Sequence, residues 1–222
     1  EQHLGSEKAT SVITTLAVLL GVGMSIFLFL VLPTLLTGAV LRFFPGFPLW
    51  GRNVMEGLLK IVIFLLYLFL CSRLKDIHRV FQYHGAEHKC INCVEHGHPL
   101  TVKYVRESSK EHKRCGTSFI LIVMVISILM FMVIRVDTIW MRILSRIILV
   151  PVIAGISYEV LQCAGRSNSK FMDLVSRPGM WMQGLTTKEP DDSMIEVAIA
   201  ATEAVFDWRA YLKEEFGVEV ES

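Results

Sequence analysis

Charge is scarce in this sequence. Asp, Glu, Lys and Arg make up only 19% of its 222 residues, whereas a soluble domain carries about a quarter. Net charge is also lacking: the formal balance is +1, so bulk electrostatics offers no case for a nucleic-acid partner. Cysteines are few, odd in number at five, and mostly grouped with histidines. That excludes a fully paired disulfide framework and points to metal ligands or free thiols. An initiating Met is missing, since the sequence opens at Glu1, and we expect an upstream segment to have been trimmed. The first apolar run is too long for a signal-peptide core and lacks the right basic flank.

What the sequence has instead is apolar length. Hydrophobic residues form 53% of it, with a mean hydropathy of +0.50, and the charges are segregated from them. These features predict an all-α integral membrane protein with about four transmembrane helices. Residues 9–41 are uncharged and exceed what a roughly 30 Å hydrocarbon core requires. Pro33 predicts a kink or a helix end there, followed by a short re-entrant or interfacial piece. Residues 42–53, rich in Pro, Gly and aromatics, read as a loop. The further spans are expected at Val54–Cys71, Thr117–Ile134 and Ile139–Cys163. The second opens with Glu56 and Lys60, spaced for an ion pair. The fourth carries Arg142 and Arg146, placed to snorkel to the interface, then Pro151, Gly155 and Glu159.

Between spans two and three lies a polar segment, residues 73–117. Its nine Lys/Arg outnumber those of the other short loops, and the positive-inside bias puts it in the cytoplasm, with both termini on the same side. The organisation expected is a transmembrane region over residues 1–163 and a cytoplasmic tail over 164–222. Residues 72–89 should continue as helix, with Leu74, Ile77, Phe81, His84 and His88 on one face. Leu100–Val105 reads as a short extended piece, and 164–191 as irregular, with Met180-Trp181-Met182 as a surface-seeking patch. Ser193 and Glu196 form a capping-box pattern opening an amphipathic helix over 193–216. Its seam is Met194, Val197, Ala201, Val205, Trp208 and Leu212. Such a face must dock on the bundle, on a second copy to give a homo-oligomer, or on the bilayer.

The chemistry is concentrated in His84-Gly85-Ala86-Glu87-His88, an H-x-x-E-H pattern. One turn apart on a helix, His84 and His88 have the separation two ligands of one zinc ion need, and Glu87 beside them is placed to act as general base. Inverted zinc peptidases share this pattern and take a third ligand, usually Glu, from a later helix. Glu159, a carboxylate near the same end of a membrane span, is the candidate. A second pattern overlaps it: Cys90-x-x-Cys93 followed by His112-x-x-Cys115 has the form of a structural Cys₃His zinc site. A mixed set of His84, His88, His112 and Cys115 is a further partition, and residue spacing does not choose among the three. His96 and His98 read as loop histidines without a ligand role.

Four blocks of the chain resemble one family. They are Tyr83-His84-Gly85-Ala86-Glu87-His88-Lys89, His112-x-Arg114-Cys115-Gly116-Thr117-Ser118-Phe119, Gly155-Ile156-Ser157-Tyr158-Glu159, and Pro178-Gly179 through Gln183-x-Leu185-Thr186-Thr187-Lys188-Glu189-Pro190-Asp191-Asp192. They look like the signatures of the YqhQ-like family, multi-pass membrane proteins of bacteria and plastid lineages whose function is unknown. The resemblance implies the cell (plasma) membrane. It also implies an upstream Gly-Gly-Gln-Ala-Val-type motif that this sequence does not include. In the family pattern Thr often stands at the position of Cys90 and Pro at that of Lys113. This shifts weight from the Cys₃His reading to His84, Glu87, His88, His112, Cys115 and Glu159.

The function expected is therefore an integral membrane metalloprotein, a zinc-dependent hydrolase or peptidase with Glu87 as catalytic base. Its rival is a non-catalytic scaffold or transport-related protein with a structural Cys/His metal site. A third reading is an ion path lined by Glu56, Lys60, Arg142, Arg146 and Glu159.

Overall fold

The computed structural model describes residues 2–134, 139–167 and 169–218, and among them regular structure is entirely helical. Ten α-helices follow one another: α1 (Gln2–Ile26), α2 (Leu32–Leu41), α3 (Leu49–Cys71), α4 (Lys75–Glu95), α5 (Val102–Glu107), α6 (Gly116–Val133), α7 (Ile139–Arg166), α8 (Lys170–Thr186), α9 (Asp192–Val205) and α10 (Trp208–Phe216). Four stretches are long and apolar enough to cross a membrane: Thr10–Leu41, Leu49–Cys71, Gly116–Val133 and Ile147–Arg166. The expected class and number of spans are borne out. The chain divides into two compact units, Glu1–Phe64 with Ser127–Arg142, and Leu65–Ile126 with Ile143–Ser222.

In the first unit, Pro33 does not end the helix. A π-turn, Phe27–Val31, in which Leu32 N–H reaches back to the Phe27 carbonyl, separates α1 from α2. Pro33 then occupies the first turn of α2. A proline ring crowds the carbonyl four residues earlier, and the widened turn relieves that contact, so helix runs on where a re-entrant piece was expected. α3 and α6 approach closely. A Cβ at Gly57 would stand 2.2 Å from Ile128 Cγ1, and Asn53 Nδ2 donates to the Phe131 carbonyl at 2.7 Å. Glu56 and Lys60 form the anticipated pair, at 3.0 Å. The Arg142 and Arg146 side chains lie outside the described residues.

The second unit has a water-type core in which Cys90, Cys93, Val94, Leu100, Val105, Ile195, Trp208 and Leu212 are packed together. Several expectations change here. α3 stops at Cys71, and α4 starts afresh after extended Leu74, so the two are not one continuous helix. Leu100–Val105 is not extended: α5 forms from Val102, presenting Val105 to the core.

Residues 170–186 are helix, not irregular. Ser169 Oγ caps the Met172 N–H at 3.2 Å, and Ser176, Gly179, Met182, Gln183 and Thr186 make one buried face at helical spacing. Of the patch at 180–182, Trp181 is 66% exposed whereas Met182 is fully buried. The tail helix is broken in two, because Asp207 caps a new start at Ala210 N. Its first N-cap is Asp191, which accepts from Met194 N, in place of Ser193. Met194, Trp208 and Leu212 of the expected seam are buried, while Val197, Ala201 and Val205 are exposed.

Candidate metal centre

α4 is the platform. Its His84 and His88 rings lie edge to face, with centroids 4.4 Å apart, as side chains one turn apart must. Gly85 between them lets the chain after α8 come close: a Cβ there would sit 2.1 Å from the Lys188 carbonyl oxygen. That approach brings the Thr186 carbonyl to His84 Nδ1 at 2.9 Å. Residues 108–112, after the end of α5, run without regular hydrogen bonding of their own, and side chains serve the carbonyls there and at Arg106. Lys89 Nζ donates to the Arg106 and Ser108 carbonyls, Asn92 Nδ2 to those of Ser109 and Glu111, His88 Nδ1 to that of Lys110, and Gln183 Nε2 to that of His112. Gln183 Oε1 in turn accepts from His112 N at 2.9 Å. This polar lattice, part-buried and built on buried Lys89, Asn92, His88 and Gln183 side chains, carries the chain to Cys115 at the mouth of α6. It does the work expected of a zinc knot.

Cys115 completes a cluster. One donor atom each from His84, His88 and Cys115 lie within 4.8 Å of one another, and no other group of three such side chains does so among the described residues. Cys115 Sγ is 3.4 Å from His84 Nε2. Backbone carbonyls only accept, so both histidines carry a proton at Nδ1 and turn Nε2 to the cluster, where it donates to the Cys115 thiolate when protonated and offers a lone pair to a metal when not. Pinning the far nitrogen in this way fixes the tautomer of metal-ligating histidines. Burial pushes the Cys115 thiol up, but hydrogen bonds from His84, His88 and Thr117 outweigh it and bring the pKa down to about 5. Its place at the N-terminus of α6 acts in the same direction. The bond to Cys115 raises His84, against the effect of burial. Two neutral imidazole nitrogens and a thiolate are a donor set suited to zinc.

The other candidates lie elsewhere. Glu87 is exposed, near enough to His84 for its charge to act on that ring. His112 stands with its ring centroid 5.9 Å from that of His88, and its Nε2 meets Glu95 at 3.0 Å; that bond chiefly holds the Glu95 carboxyl below its usual range. Glu159 is exposed on α7 and is not part of the cluster. Cys90 and Cys93 belong to the apolar core. Burial drives the Cys90 thiol up to about 12, and Cys93 Sγ reaches the Pro99 carbonyl at 3.4 Å. The structure thus does not assemble the Cys₃His pattern: both C-x-x-C sulfurs serve as small apolar groups. Lys89, Asn92, Glu95 and Gln183 escaped the reading of the sequence. A buried Lys and a buried Gln leave no periodic signal, although Lys89 and Gln183 both stood within signature blocks.

Beside the cluster, α4 faces α9 and α10 across a mainly apolar cavity of about 740 Å³. Val197, Ala201 and Val205, the part of the tail seam left uncovered, line it. Glu87, Glu95 and Arg114 give it a polar edge.

Fold and cluster together define a class: a helical protein with membrane-length helices and a His₂Cys group of metal-ligand type. Residues 1–208 match the family described as "Protein of unknown function (DUF1385)", and the chain belongs to that family. It is 43% identical over 157 residues to "Uncharacterized protein YqhQ" of Bacillus subtilis (strain 168). That alignment takes in 68% of this chain and 49% of the relative, so the chain spans about half the relative's length. The family resemblance carried by the four signature blocks is thereby borne out. No solved structure matches the chain.

Proposed function

We propose that this protein is a membrane metallohydrolase whose centre is held by His84, His88 and Cys115. The observation that carries the reading is the convergence of three donor atoms within 4.8 Å, with both imidazoles oriented by carbonyls behind them. Three protein ligands leave a coordination position open, as in catalytic rather than structural zinc sites. When bound, zinc polarises a carbonyl or phosphoryl oxygen and makes water acidic near neutral pH.

The chain's own residues do the rest. Cys115 takes the third-ligand role in place of the exposed Glu159. Glu87, on the next position of α4 and on the cavity wall, accepts the proton from the attacking water. The cavity at Glu87 has a size and lining suited to a mainly apolar substrate. The Lys/Arg bias supports a cytoplasmic position for the centre and a cell-membrane location. The uncovered tail face supports self-association.

The rival, a structural metal site in a scaffold, has one observation in its favour: His88 and Cys115 are each 3% exposed. Elemental analysis of protein purified without chelators separates the readings. One equivalent of zinc in wild type, absent from His84→Ala/His88→Ala, is the expected result. Retention of zinc by Glu87→Gln together with loss of hydrolysis of a substrate panel supports the enzyme. Zinc that stays with no hydrolysis by wild type leaves the scaffold, and zinc-free wild type removes both.

A further inference from the structure

A second cavity, of about 520 Å³, opens at the end of the span Leu49–Cys71. Arg73, Lys75, His78 and Lys188 line it, with Ser72 and the Phe69 ring, and no carboxylate does. Several other cations of this unit are neutralised. Lys89 and Lys110 share Glu189, Lys113 meets Asp173, Arg106 meets Asp192, and Arg114 meets Glu95. Among the described residues no ion pair joins Arg73, Lys75 or Lys188 to an acid. Arg73 is nonetheless held, with its guanidinium carbon 4.6 Å from the Phe69 ring centroid. Lys188 Nζ is tethered to the Gly184 carbonyl at 2.7 Å. Burial, then Lys110 and Arg73, pull the Lys188 pKa down, as expected where positive charge has gathered without a counterion.

We infer that this cavity binds a phosphate group, and that its source is the headgroup of an anionic phospholipid. Three cations and a histidine converge on one space, and a tetrahedral anion with several oxygens can engage them together. Guanidinium geometry suits phosphate oxygens. Ser72 and Arg73 directly follow the last residue of the span, Cys71, which puts the cavity at headgroup depth. Basic pockets beside membrane helices bind anionic headgroups there. None of the residues lining it belongs to the His₂Cys cluster.

The test is titration of the full chain in uncharged detergent with phosphatidylglycerol and with phosphatidylcholine, read by native mass spectrometry, and with inorganic phosphate, read by calorimetry. Arg73→Gln/Lys75→Gln/Lys188→Gln is compared with wild type. Preference for phosphatidylglycerol should fall roughly fivefold for each cation removed. The single variants Arg73→Gln and Lys75→Gln, both at exposed positions, give the same readout without a risk to folding. Binding of inorganic phosphate that the triple variant loses, with no preference between the two lipids, keeps the phosphate site and assigns it a soluble ligand. Equal binding of all three probes by wild type and variants overturns the proposal.

Discussion

The membrane-length helices and the α4-centred unit solve opposite problems. In the four spans, 0%, 6%, 11% and 22% of the most apolar stretch is buried. Leu, Val and Ile side chains point outward there, Leu20 being 74% exposed and Val133 75%. In lipid this costs nothing, because hydrocarbon surrounds the side chain either way. In the core built on α4 apolar residues turn inward, and Val105, Leu212, Cys90 and Cys93 have no exposure at all. Its polar backbone is handled differently too. The spans satisfy their own N–H and C=O groups by helix, whereas six of the seven carbonyls from Arg106 to His112 accept from side chains of α4 and α8. Specificity in the spans rests on a few close approaches such as Gly57 on Ile128. In the α4 unit it rests on buried polar partners, each of which has few substitutes.

The contrast predicts a graded response to substitution, read as thermal or denaturant unfolding in detergent. Lys89→Met should have the largest effect, about 5 kcal/mol, because the buried ammonium serves the part-buried Arg106 and Ser108 carbonyls and Glu189 at once. Leu212→Ala, a cavity in the water-type core, should cost about 2–5 kcal/mol. Gly85→Ala should cost about 1–3 kcal/mol and also weaken metal retention, since its Cβ meets the Lys188 backbone, which cannot yield without moving Thr186 off His84. Leu20→Ala, on the outward face of the first span, should stay within about 0.5 kcal/mol. A cost for Leu20→Ala comparable to that of Leu212→Ala would show that a partner covers the span, and the comparison would have to be redrawn.

A pH prediction concerns Cys115. Its folded pKa of about 5 lies below the ordinary 9.0, so the folded state binds fewer protons than the unfolded state between these values. The stabilisation is present in full above pH 9 and is lost as pH falls through about 5. In chelator-treated protein, thiolate ultraviolet absorbance should titrate near pH 5, and in His84→Ala/His88→Ala its midpoint should move toward 9. An unmoved midpoint would separate Cys115 from the histidines.

Much of this was readable before any coordinate. Uncharged runs of membrane length state their own structure, because no other fold hides so much apolar surface in so few elements. The spacing of His84 and His88 also sufficed to place them side by side, since α4 is one uninterrupted helix. The third member of the cluster was not readable. Cys115 and Glu159 both stood at plausible positions, and only the path of residues 106–112 decided which sulfur or carboxylate arrives at the rings. Cys90 and Cys93 misled for a related reason: a C-x-x-C spacing on a helix is equally good at facing a core. Pro33 suggested a break that the preceding π-turn absorbed.

The sequence by itself determined the membrane class, the number of spans, the family blocks and the helical face bearing the two histidines, because each depends on local periodicity or on bulk hydropathy. Only the tertiary structure decided that Cys115 joins them, that Glu159 does not, and that Arg73, Lys75 and Lys188 share one cavity. These are meetings of residues far apart in the chain, and they are set by where part-buried carbonyls, a close glycine and a lysine's charge can all be satisfied at once.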